Sequence, residues 1–145
     1  MPRLPVVEPD QAFPTPLPPA ADDYYSLGVT HHRRGHWDEA IACYQQALAL
    51  DDAHAAAHYN LGVVHDQRGE TGEAIVCYQR AIAHAPNYAK ALSNLGCALA
   101  KVGQLDQAIE LYEQATARNP TWATLHNNLG QALSRKGETA AAIAS

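Results

Sequence analysis

The sequence predicts an all-α protein built from repeated helix pairs, and three observations carry that prediction. The first is self-similarity: Gly28, Gly62, Gly96 and Gly130 stand 34 residues apart, each preceded by Leu. The second is an apolar ladder. Ala74, Ile75, Tyr78, Ala81, Ile82 and Ala85 recur at the spacing of one face of a 3.6-residue helix. Copies stand at Ala40, Ile41, Tyr44 and Ala47, and at Ala108, Ile109, Tyr112 and Ala115. The third is punctuation. Gly35, Gly69, Gly103 and Gly137 give each unit a turn in mid-course, and Pro86 and Pro120 close two units.

Taken in order, residues 1–20 form a leader that holds seven of the chain's nine prolines. Proline removes amide donors and fixes φ, so neither a helix nor a central strand runs through it, and an extended, polyproline-like segment is expected. It contains two PxxP matches, Pro2 to Pro5 and Pro16 to Pro19, which short proline-rich tails produce freely. Unit one, 21–54, has helices over 21–34 and 38–50; unit two, 55–88, over 55–68 and 72–84. Unit three, 89–122, has helices over 89–102 and 106–118; a partial unit four, 123–145, has one over 123–136 and a stub from Ala140. Asp38 and Asp106 stand where N-caps are wanted, with Glu39 adding charge that suits the first turn. A glycine inside a helix costs about 1 kcal/mol against alanine. Gly28, Gly62 and Gly96 are therefore expected at close crossings, opposite Ala40, Ala74 and Ala108 of their own second helices.

Composition excludes several function classes. The formal charge is −5, with eight acids and three bases through His54 and seven of each afterwards. No basic run exists to neutralise phosphates, which argues against nucleic acid and against an anionic membrane surface. The sequence has no stretch of membrane-spanning length and no signal-peptide pattern. Cys43, Cys77 and Cys97 form no CxxC pair; they read as packing residues of a reducing compartment, with the cytoplasm as the expected location. His32 and His36 have the spacing of a helical metal pair, but Gly35 lies between them, so neither a metal nor any other cofactor is expected. If His31 and His65 were buried and neutral, acid would destabilise the fold, because the unfolded chain would take up protons the core refuses. No phosphate loop, nucleophile elbow or walled carboxylate pair is present, so no enzymatic activity is expected of this stretch.

The 34-residue period, the Leu-Gly step, the later Ala and Tyr and the closing Pro resemble the tetratricopeptide repeat over residues 21–145. Departures are local: Asp52 replaces a closing proline, and His58, Leu92 and His126 stand where an early Trp is common in the family. The resemblance implies a right-handed α-solenoid of antiparallel helix pairs, three full repeats and a partial fourth, whose first helices line a concave groove. It also implies a scaffold that binds an extended peptide or partner protein and does no chemistry. Stacking agrees with this, since one pair cannot bury its apolar face alone.

On that fold the groove would be lined by Tyr25, Tyr59, Asn60, Val63, Lys90 and Asn94, and by Asn127, Asn128 and Gln131. Asn60, Asn94 and Asn128 repeat in register, which is similar to the asparagine ladder of O-linked N-acetylglucosamine transferase arrays. Packed helices lie about 8–10 Å apart, or roughly three residues of extended chain. The row has two readings: it holds a peptide backbone, or it ties neighbouring helices together. A second family mode, the clamp for a C-terminal carboxylate, is matched by Asn60 and Lys90. Tyr25 and Val29, however, replace a Lys and an Asn, and Asn94 replaces an Arg, so no clamp is expected. A competing expectation makes the stretch the recognition arm of a larger enzyme, such as a glycosyltransferase. An uncapped C-terminal edge is expected to permit end-to-end self-association.

Overall fold

A computed structural model describes residues 17–144, the side chains at 142 and 144 excepted. Its helices are α1 (Ala21–Arg33), α2 (Trp37–Leu50), α3 (Ala55–Gln67), α4 (Thr71–His84), α5 (Ala89–Lys101), α6 (Leu105–Arg118) and α7 (Ala123–Ala144). No strand occurs among the described residues. Residues 17–20 have no regular structure, and the rest of the expected leader, with the first PxxP match, lies outside the described residues. Each helix packs on the next in sequence, and α1 meets α3 and α5 meets α7, so the pairs stack as a solenoid.

The turn within each pair is the same motif three times. Gly35, Gly69 and Gly103 take φ of +76°, +80° and +85°, open to glycine without strain. The amide of His36 then reaches back to the carbonyl of His31 at 2.9 Å, Glu70 to His65 at 2.8 Å, and Gln104 to Leu99 at 2.9 Å. With the glycine amides on His32, Asp66 and Ala100, these bonds satisfy the last carbonyls of the first helix. The next helix starts one residue later.

Within each pair the glycine faces an aromatic ring, not the alanine expected from spacing. A β-carbon at Gly28 would lie 2.6 Å from the Tyr44 ring, and one at Gly62 would lie 2.7 Å from the Tyr78 ring. Gly96 is set against Tyr112 as well, but against the Cζ and hydroxyl end of the ring. Ala40, Ala74 and Ala108 are fully buried, but the tyrosine one turn further on has the reach to fill the space the missing side chain leaves. The cores follow from this. Tyr44, Leu61, Val64 and Cys77 cluster around the first junction; Tyr78, Leu92, Leu95, Ile109, Tyr112 and Leu125 cluster around the later ones.

Two further expectations are corrected. Asp38 and Asp106 are second residues of their helices, because α2 and α6 begin at Trp37 and Leu105, with His36 and Gln104 at the caps. There they favour the helix dipole and reach the following repeat: Arg68 Nη1 to Asp38 Oδ1 is 2.8 Å and Lys136 Nζ to Asp106 Oδ1 is 3.0 Å. Both pairs are solvent-exposed and contribute at most about 1 kcal/mol. Gly137 does not turn the chain; α7 runs through it to Ala144. Continuing the helix adds a backbone bond per residue, and Gly137 costs it only about 1 kcal/mol against alanine. Leu133 and Ile143 consequently remain 46% and 82% exposed.

Glycines with and without an aromatic partner should respond oppositely to a methyl group. Gly62→Ala forces the buried Tyr78 ring to move and is expected to cost roughly 1–3 kcal/mol. Gly130 has nothing within 4 Å of a β-carbon, so Gly130→Ala should stabilise the fold by up to about 1 kcal/mol. Thermal melts of the two variants check the pair, and equal shifts in one direction would contradict the crossing geometry.

Candidate functional site: the wall of first helices

The first helices α1, α3, α5 and α7 form one wall, joined by side-chain bonds between residues 35 apart. Asn60 Nδ2 donates to Tyr25 Oη at 2.9 Å, Asn94 Nδ2 to Tyr59 Oη at 3.4 Å, and Asn128 Nδ2 to Ser93 Oγ at 2.7 Å. Two turns further along, His32 Nε2 lies 2.8 Å from Gln67 Oε1 and Lys101 Nζ donates to Asp66 Oδ1 at 3.2 Å. The asparagines thus tie neighbouring helices. Each amide has a second N–H and a carbonyl that the tie does not use.

A second in-register row stands at the entry to each first helix. His54 and Tyr88 are the N-caps of α3 and α5, and Trp122 precedes α7. The His54 ring lies 4.9 Å from Tyr25 and the Tyr88 ring 5.1 Å from Tyr59. His54 Nδ1 accepts from the Ala57 amide at 3.1 Å, which leaves Nε2 to donate to Asp22 Oδ1 at 2.8 Å. Sequence reasoning missed this row, although 54, 88 and 122 share the period of the glycines. Where the family often has Trp, His58 and His126 donate Nε2–H to the carbonyls of Asp52 and Pro120, at 2.7 and 2.6 Å, and so pin the preceding loops.

Three clefts open along the wall, each with one asparagine of the row. One of about 780 Å³ is lined by Tyr25, Val29, His32, Trp37 and Asn60. One of about 620 Å³ is lined by Tyr59, Lys90, Ser93, Asn94 and Trp122. The third, of about 220 Å³, is lined by Cys97, Lys101, Asn128, Gln131 and Arg135. Seven of the nine residues expected in the groove therefore line a cleft: Tyr25, Tyr59, Asn60, Lys90, Asn94, Asn128 and Gln131. Val63 is half-buried against the core, and Asn127 is exposed but lines none of these clefts.

His31 and His65 are half-buried, with His36 Nδ1 3.5 Å from His31 and Glu70 Oε2 3.6 Å from His65. The His65 Nδ1 is itself buried and makes no hydrogen bond among the described residues, whereas the His31–His36 contact is solvent-exposed. Among the described residues no group of three His, Cys, Asp or Glu side chains could hold a metal ion. No helix there is long and apolar enough to cross a membrane. All three cysteines are free, and burial pushes the Cys77 thiol up to about 11.

A stack of helix pairs with a continuous wall of first helices defines a helical-repeat scaffold. Family models described as TPR repeat and Tetratricopeptide repeat match residues 28–67, and residues 55–88 and 89–121. The chain belongs to the tetratricopeptide repeat family. No curated protein matches it in sequence. Among solved structures it is similar to MamA, at 32% identity and a TM-score of 0.74, over 81% of this chain and 68% of that one. It is similar to the Sgt2 TPR domain from Aspergillus fumigatus at 28% identity and a TM-score of 0.73, over 91% and 86%. The first TPR of Spaghetti (RPAP3), solved bound to the HSP90 peptide SRMEEVD, shares the fold at 23% identity and a TM-score of 0.74, over 81% and 93%.

The wall and the pair crossings both depend on neutral tyrosines. Burial raises Tyr59 and pushes Tyr88 up to about 12, and it raises Tyr44, Tyr78 and Tyr112 as well. A raised folded value means the unfolded chain loses these protons first. The stability they contribute is complete below about pH 10 and falls as pH rises from there towards 12. Melting temperature should hold up to about pH 8, begin to fall near pH 9 as the unfolded chain's Cys77 thiol ionises, and drop more steeply above 10 as tyrosinate absorbance appears.

Proposed function

We propose that this chain is a scaffold that binds an extended peptide or partner segment along the wall of first helices, the concave face of the solenoid. The observation that supports it is the coincidence of the asparagine row with the three clefts. Each asparagine is held by a neighbouring hydroxyl; Asn60 and Asn128 still have one donor and one acceptor for a peptide backbone, and Asn94, which also bonds Tyr78, has its carbonyl. The two readings of the row are then compatible, because the tie fixes the rotamer that the peptide would meet.

Magnitudes decide what else is needed. A hydrogen bond nets about 0.5–1.5 kcal/mol, while association costs at least roughly 4. Three amides alone bind weakly, and useful affinity needs apolar anchors in the clefts beside Tyr25 and Tyr59. The peptide held by the first TPR of Spaghetti (RPAP3) supports an extended occupant on this fold. A C-terminal carboxylate is not the occupant on this reading, since Tyr25, Val29 and Asn94 replace three of the five clamp positions. The free thiols fit a reducing compartment such as the cytoplasm. The asparagine row also supports a second reading, similar to the arrays of O-linked N-acetylglucosamine transferases: a substrate-recognition arm of a larger enzyme, with the wall holding the protein substrate.

Paired substitutions separate the tie from the contact. Asn60→Ala with Asn94→Ala removes both the ties and the free amide groups. Tyr25→Phe with Tyr59→Phe removes the same ties and leaves the amides. Each pair is expected to lower stability by about 0.5–1.5 kcal/mol per bond, but only the asparagine pair should abolish capture of peptides from a random decapeptide library. Equal loss of capture in both pairs would reduce the row to a structural tie.

A further inference from the structure

The aromatic row and the tyrosine row make a repeating couple, and the third repeat breaks it. Tyr25 faces His54, and Tyr59 faces Tyr88, at 4.9 and 5.1 Å between rings. The same positions one repeat on are Ser93 and Trp122. Asn128 donates to the Ser93 hydroxyl as Asn60 and Asn94 donate to the tyrosines, so the backbone register is kept and only the ring is missing. The cleft of about 620 Å³ lies there, with Tyr59, Asn94 and the half-buried Trp122 on its walls and the exposed Lys90 among its lining residues.

We propose that this cleft is a specificity pocket that takes an aromatic side chain of the bound segment, with an acidic residue beside it. The proposal rests on the peptide-binding reading above and names what that wall selects. The aromatic preference follows from shape, because a guest phenol or phenyl ring occupies the space its counterparts Tyr25 and Tyr59 occupy in the earlier repeats. Indole and phenol rings favour tilted or offset contact with such a guest. The acidic neighbour follows from charge. Lys90 lines the cleft and forms no ion pair among the described residues, and no carboxylate lines this cleft. The amide of Asn94 bonds Tyr59 at 3.4 Å and also bonds Tyr78, which leaves its carbonyl for the guest's backbone N–H.

Refilling the space is the test. Ser93→Tyr restores the couple of the other repeats, and its melt reports whether the fold is kept. In the wild-type chain, p-cresol, the tyrosine side chain alone, is expected to shift the NMR signal of the Trp122 indole N–H, assigned with Trp37→Phe. In Ser93→Tyr it should not. A decapeptide with a central Tyr-Asp in a Gly/Ser/Ala background should bind the wild type about tenfold or more tighter than the same peptide with Ala for Tyr. Lys in place of Asp should weaken it, and Ser93→Tyr should erase the preference. Equal binding of the Tyr and Ala peptides by the wild type, or an undiminished preference in Ser93→Tyr, overturns the pocket while library capture leaves the wider groove reading standing. Failure to bind p-cresol or any peptide overturns both.

Discussion

Everything in this molecule depends on the approach of a tyrosine ring to a bare glycine within each helix pair. Gly28, Gly62 and Gly96 have no β-carbon, and the rings of Tyr44, Tyr78 and Tyr112 occupy the place where one would be. A wholly buried ring of that size is a rigid spacer, so the two helices can cross in one way only. The first two crossings are alike, with the same ring edge and a neighbouring cysteine against the glycine, while at the third the hydroxyl end of the Tyr112 ring lies over Gly96. Gly130 lies outside this rule and touches nothing, and beyond it the helix continues where the other units turn.

The pairs stack in one register, and that register becomes visible in the bonds between first helices. Residues 25 and 60, 59 and 94, and 93 and 128 meet because each first helix repeats the position of the one before. The same offset brings His32 to Gln67 and Asp66 to Lys101 two turns along. The chemistry of these bonds differs at each junction, from phenol to hydroxyl and from imidazole to ammonium, while the geometry does not. Packing sets the spacing, and the polar pairs are fitted to it. The wall is therefore a consequence of the buried crossings and not a separate design.

This division explains what could be read from the chain. The bounds of the first six helices were legible to within a residue because glycine, proline and apolar spacing act locally, as at Gly69 and Pro86. The partner of the mid-helix glycine was not. Ala74 and Tyr78 lie one turn apart on the same face, and spacing cannot say which of them sits under Gly62. Gly137 carried the same local signal as Gly69, yet a glycine turn forms only where the next helix has a surface to cover. Asp106 looked like a cap until the turn placed Gln104 there. The asparagine row was legible as a row, but its tyrosine and serine partners belong to the preceding repeat and appear only when repeats are stacked. The aromatic residues His54, Tyr88 and Trp122 were hidden for another reason: the eye tracks identity down a period, and these share only ring character.

Sameness also limits what such a wall can recognise. An extended chain laid along identical units meets equivalent contacts each time it slips by one unit, so the repeated features alone give affinity without a fixed register. Discrimination requires an interaction that one register gains and the others lose. Along these first helices the repeated geometry builds the surface, and the departures from it distinguish one place from another. Ser93 is the departure that removes the most volume while leaving its hydrogen bond intact. On the binding proposed above, a partner with one ring to bury would have one position of complete burial, and would then meet the amides of Asn60, Asn94 and Asn128 in a single order. In a repeat array the sequence differences between units carry the specificity, and their likeness supplies the frame that makes those differences count.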